Sequence, residues 1–80
     1  DEVKAAAEVC AQYWKDYGNP LSMEEMASLR RFVRLFGVDK IEEAMDITVS
    51  NPRVQPRVRF NYLCGILHNW RKSAEGMIDG

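Results

Sequence analysis

Tyr62-Leu63-Cys64-Gly65-Ile66-Leu67-His68-Asn69-Trp70 is an amphipathic helix written over nine residues. Tyr62, Ile66 and Trp70 stand four apart, about 400° on an ideal helix, so they line one side with a slow drift. Phe60, Leu63, Cys64 and Leu67 cluster within an arc of about 100° and form the expected core face. Asn61, Gly65, His68 and Lys72 take the opposite, polar side. The apolar positions together span about 200°, wider than a surface helix requires. This helix is expected to begin between Val58 and Asn61 and to reach about Ser73. It either has neighbours on two sides or keeps one flank as a binding surface.

The chain upstream continues in the same period. No segment alternates apolar and polar residues with β-branched enrichment, so the fold class is all-α. The first helix is read over about Glu2 to Tyr17, with Val3, Ala6, Ala7, Cys10, Tyr13, Trp14 and Tyr17 at spacings of three and four. Gly18 supplies its left-handed cap and Pro20 prevents continuation. Ser22 and Glu25 form a capping box for the second helix, with Leu21 and Met26 as a hydrophobic staple. Met26, Leu29, Phe32, Val33 and Phe36 make its buried stripe, and Gly37 ends it. The third helix is read as starting at Asp39, with Glu42 completing a second capping box. Ile41, Ala44, Met45 and Thr48 face inward, and Asn51-Pro52 stops the helix near Ser50. Residues 51–57 form a stiff, basic connector with two prolines. The architecture expected is a compact bundle of four main helices with room for a short extra turn. In it Phe60, Leu63 and Leu67 pack against Met26, Leu29, Val33 and Phe36.

Eighty residues make one domain, residues 1–80. A domain of this size buries only about 60 % of its unfolded surface, so a homo-oligomer or contact with further chain would add stability. The first residue is Asp1 rather than Met, and the chain reads as a piece of a longer protein. No apolar run approaches the roughly 20 residues needed to span a membrane, and no membrane partner is expected. Net charge is −1 but unevenly spread. Residues 1–50 hold ten acidic and six basic side chains, whereas 51–80 hold five basic and two acidic. Residues 51–74 contain no acidic side chain, which fits a polyanionic partner on that portion or simply a solvated face. Two cysteines, Cys10 and Cys64, both in apolar helical patterns, make no disulfide framework and fit a reduced, cytoplasmic setting.

Nothing in the pattern reads as an enzyme. His68 is the single histidine and has no Cys or carboxylate three or four residues after it, so no metal site is expected. The carboxylates lie mostly in first turns, where they serve caps and helix dipoles. No phosphate-cradling glycine loop and no nucleophile motif is present, and no cofactor is expected.

The nonapeptide resembles the signature of the C-terminal domain of the DnaD/DnaB-type primosomal proteins of Gram-positive bacteria and their phages. The resemblance extends to Tyr17-Gly18-Asn19-Pro20-Leu21-Ser22-Met23-Glu24-Glu25, to Ile41-Glu42-Glu43-Ala44 and to Phe60 through Lys72, in the family's order over roughly residues 13–76. The connector from Ser50 to Val58 departs from the pattern in being longer and richer in proline. The end of the chain also departs, running Gly76-Met77-Ile78-Asp79-Gly80 where the family has a turn and a basic tail. The resemblance implies binding of single-stranded DNA and recruitment of the replicative helicase or its loader.

Two readings of the site follow. In the first, Tyr62, Ile66 and Trp70 contact bases or shape the surface that does, while Arg53, Arg57, Arg59, Arg71 and Lys72 contact phosphates. In the second, the stripe docks a partner helix or a second copy, and the cations steer an acidic surface. Large residues at helical spacing are usually core, and Tyr62 lies farthest from the core face. Arg71 and Lys72 in a last turn complement the helix dipole without any ligand.

Overall fold

Trp14, Cys10 and Ala7 set the first helix by standing three and four residues apart, and all three are buried. The computed structural model describes the backbone of residues 2–79 and the side chains of residues 2–73. Among the described residues four α-helices follow one another: α1 (Glu2–Asp16), α2 (Met23–Phe36), α3 (Val38–Ser50) and α4 (Arg59–Asp79). A 3-10 turn, Pro56–Val58, precedes α4. The departing tail, Gly76 to Gly80, has its side chains outside the described residues. The all-α bundle expected from the periodicity is the fold observed.

α1 ends in a two-bond terminator. Gly18, at φ +89°, donates its N–H to the Lys15 carbonyl at 2.8 Å, and Asn19 donates to the Trp14 carbonyl at 3.2 Å. This pairing satisfies carbonyls that the helix end leaves open and folds the residue after the glycine back onto the helix. That residue is Asn19, which is consequently 8 % exposed despite being polar. α2 opens with the expected capping box: Glu25 N–H donates to Ser22 Oγ at 3.1 Å, and Ser22 N–H donates to Glu25 Oε1 at 2.9 Å.

The second capping box does not form. α3 starts at Val38, one residue before Asp39, and its N-cap is Gly37, which offers no side chain. Gly37 serves two helices at once. Its N–H donates to the Val33 carbonyl at 2.8 Å, closing α2, and its carbonyl accepts from Ile41 N–H at 3.2 Å, opening α3. Sharing one residue between two helix ends requires φ +83° and ψ 165°, a region essentially restricted to glycine. Asp39 therefore falls inside the first turn, where its charge meets the helix dipole and its side chain caps nothing.

Ile41, Ala44, Met45 and Thr48 form the buried face of α3, as the spacing predicts. The buried Thr48 hydroxyl donates to the Ala44 carbonyl at 2.8 Å and so is not left unpaired. Leu63 and Leu67 of α4 are fully buried in the same cluster as Leu29, Val33 and Trp14. The principal neighbour of α4 is α3, however, rather than α2. The two are consecutive helices joined by residues 51–58, whose last three form the 3-10 turn. α2 is reached at side-chain level, where the Phe32 and His68 rings meet edge-on at 5.5 Å. Burial and, secondarily, the Glu25 charge push the Cys64 thiol up, as expected for a flank of α4 that faces the start of α2.

Candidate nucleic-acid interface

Tyr62 is the most open member of the stripe, 39 % exposed. Its hydroxyl accepts a 3.2 Å hydrogen bond from Asn51 Nδ2. Asn51 caps the C-terminus of α3 and also accepts, through Oδ1, the Arg53 N–H at 3.0 Å. One side chain thus ties the tyrosine tip to the first turn of the basic connector. This local Asn-to-backbone bond is the ordinary turn-forming habit of Asn before a proline. The connector is accordingly a built turn, closed further by Val54 N–H to the Asn51 carbonyl at 3.1 Å. Its side chains Arg53 and Arg57 are exposed.

Ile66 and Trp70 are half-buried and pack on the core. The Lys40 ammonium of α3 lies 5.2 Å from the centre of the Trp70 ring. This is cation-π distance, and it covers part of the indole with a charge also shared with Glu43 at 3.4 Å. Trp70 therefore offers less free face than Tyr62. Arg71 and Lys72 follow it as exposed residues.

Arg59 behaves differently from the other cations. It is half-buried, and its Nη1 donates to Asn19 Oδ1 at 2.9 Å, joining the head of α4 to the turn between α1 and α2. Of the eight candidate residues, Tyr62, Ile66 and Trp70 share one flank of α4. Arg53 and Arg57 stand free at its head, Arg71 and Lys72 lie exposed beyond Trp70, and Arg59 is turned toward the fold. Sequence reasoning missed Asn51, Lys40 and Asn19, all of which belong to other elements and carry no signal in the α4 pattern.

It also missed a polar clamp on another face. Tyr13 and Tyr17 of α1 and its terminal turn both donate to Asp46 Oδ1 of α3, at 2.6 and 2.7 Å. Their rings meet edge-on at 5.3 Å. The Tyr13 hydrogen bond, then that of Tyr17, holds the Asp46 carboxyl below its ordinary range. The Tyr13 hydroxyl is correspondingly raised, first by Asp46 and then by Tyr17. The four-residue spacing of the tyrosines announces a shared face, but their acceptor is some thirty residues away and is found only by folding. Both cysteines are free, and burial followed by the Glu42 charge pushes the Cys10 thiol to about 11. Among the described residues no three ligating side chains cluster in a way that would hold a metal.

A family model described as replication initiation and membrane attachment matches residues 10–74. The match spans all three sequence blocks that carry the resemblance and every candidate residue above. It supports the DnaD/DnaB-like reading at the level of a replication-initiation domain. No curated protein and no solved structure matches the chain. Membrane attachment is part of the family description, so the expectation of no membrane partner is not carried forward. No described helix is long and apolar enough to cross a membrane.

Proposed function

The chain belongs to the replication initiation and membrane attachment family, and from that premise we propose that it is a non-catalytic, cytoplasmic module that binds single-stranded DNA. It would correspond to the C-terminal domain of a primosomal protein and assist recruitment of the replicative helicase or its loader. One observation carries the reading. The Tyr62 ring is open to solvent beside a structured turn that presents Arg53 and Arg57, in a stretch free of carboxylates. An aromatic face beside cations holds a strand by stacking and phosphate contact, with little discrimination among bases.

The exposed cations are Arg53, Arg57, Arg71 and Lys72, whereas Arg59 is half-buried and bonded to Asn19. With about three to four phosphates neutralised at roughly 0.7 each, log Kd should change with log salt by about 2 to 3. Fluorescence anisotropy of a labelled oligonucleotide across a salt series measures this. Tyr62→Ala should weaken binding by about 1–3 kcal/mol, about 5- to 150-fold, with the slope nearly unchanged. Arg57→Ala should lower the slope by about one contact. Absence of binding at low salt, or a Tyr62→Ala variant equal to wild type, would remove the stacking reading. In that case a stripe used for docking a partner helix becomes the better account, and affinity for that partner should survive moderate salt.

A further inference from the structure

The turn after α1 and the head of α4 enclose a second feature that the Tyr62 surface does not use. Gly18, Asn19 and Pro20 on one side and Pro56, Arg57, Arg59 and Phe60 on the other line a cleft of about 290 Å³. Inside it, Asn19 Oδ1 accepts from Arg59 Nη1. Because an arginine nitrogen can only donate, this bond fixes which end of the Asn19 amide is oxygen and leaves Nδ2 as the other. That Nδ2 has no hydrogen-bond partner among the described residues, and neither does Arg59 Nε. Both atoms are shielded from solvent, and Asn19 as a whole is more than nine-tenths buried.

Two desolvated donors without acceptors are unusual in a folded protein, where buried polar groups are paired. What the site lacks is acceptor oxygen. Arg57, exposed at the lip, adds a second positive charge to that of Arg59. Glu25 also borders the cleft, but its Oε1 is already engaged by the Ser22 N–H of the capping box. Two guanidinium groups and one carboxylate thus line the cleft beside the two unpaired donors.

We propose that this cleft binds a phosphate group through Asn19 Nδ2, Arg59 Nε and Arg57. A tetrahedral oxyanion offers enough oxygens to meet donors converging from two separate segments, and charge-assisted bonds to guanidinium groups are among the stronger hydrogen bonds. The phosphate can be free, borne by a nucleotide or part of a strand. The proposal does not depend on stacking at Tyr62.

The test is NMR of the 80-residue chain, following the Asn19 side-chain amide and the Arg59 Nε–H. Inorganic phosphate at millimolar concentration should shift both signals saturably, whereas sodium chloride at matched ionic strength should not. Thymidine 5′-monophosphate and an unphosphorylated oligothymidylate, titrated next, show whether a terminal or a bridging phosphate is preferred. Asn19→Asp keeps an oxygen for Arg59 and so preserves the joint. It removes the Nδ2 donor, adds a negative charge, and should weaken the saturable Arg59 response at least tenfold. Circular dichroism and thermal unfolding should show Asn19→Asp to be folded, and Tyr62→Ala should leave the phosphate response intact. Shifts that are non-saturable, that chloride reproduces, or that persist undiminished in folded Asn19→Asp would overturn the proposal. So would a nuclear Overhauser contact from Asn19 Nδ2 hydrogens to a bound water that phosphate fails to displace.

Discussion

Replacing Gly37 with alanine of either hand isolates the cost of joining α2 to α3 through one residue. At φ +83° and ψ 165° an L-residue is strained, and such conformations cost of order 1–3 kcal/mol. A Cβ built at Gly37 meets nothing within 4 Å, so no packing clash contributes. L-Ala also restricts the unfolded chain, which gives back about 0.4–1 kcal/mol. The net expectation for Gly37→Ala is a loss of about 1–2 kcal/mol, or a fall in Tm of about 4–16 °C at roughly 4–8 °C per kcal/mol for a domain of this size. D-alanine at the same position reverses the sign of φ and ψ that suits it. It sits in its own extended region, keeps the unfolded-state restriction, and should stabilise by about 0.4–1 kcal/mol. The difference between the two diastereomers is the backbone strain itself, about 1–3 kcal/mol, since their unfolded chains are equally restricted. An 80-residue chain is accessible to chemical synthesis by ligation, and urea unfolding followed by circular dichroism gives both values. Equal stabilities within about 0.5 kcal/mol would refute the shared-cap geometry.

Leu63→Ala should cost about 2–5 kcal/mol by urea denaturation, because the side chain is fully buried at the centre of the α4 face. Ser22→Ala should lose about 1 kcal/mol, whereas Asp39→Ala should change stability by less than about 0.5 kcal/mol, since Asp39 makes no capping bond. A loss at Asp39 matching that at Ser22 would restore the second capping box. Asp46 has a folded pKa below its ordinary 3.8, so its contribution is complete above pH 3.8 and is lost as pH falls through the folded value. Asp46→Asn should therefore flatten the acid-side decline of stability below about pH 4, and an unchanged acid limb would refute the clamp. Tyr13 has a raised pKa, so its contribution is complete below pH 10 and is lost as pH rises through the folded value; its absorbance change at 295 nm should lag behind that of free tyrosine.

The elements that could be read directly from the residues share a short range. The capping box joins Ser22 to Glu25, and the buried faces of α1 and α3 are written in spacings of three and four. Asp39 shows where such reading stops. Its distance to Glu42 suits a capping box, but Gly37 can adopt a backbone that Asp39 would need to supply otherwise, and the helix starts earlier. Arg59 shows the same limit for the site. On a helical wheel it extends the Tyr62 flank, yet its guanidinium is held by Asn19, forty residues away in sequence.

By itself, then, the chain determined an all-helical fold, the starts of most helices and most of the buried positions, because helix periodicity and caps are decided within four residues. It placed the end of α4 near Ser73 where the helix runs to Asp79, and it put Tyr17 on the apolar stripe of α1 where the residue is exposed. It also located the aromatic and basic stretch from Arg53 to Lys72. Only the tertiary structure decided which parts of that stretch are open. α4 lies against α3, so Lys40 partly covers Trp70, Asn51 braces Tyr62, and the α1–α2 turn takes Arg59. Each of these contacts joins one element to another, and a pattern within one helix carries no information about which neighbour will fill its flank.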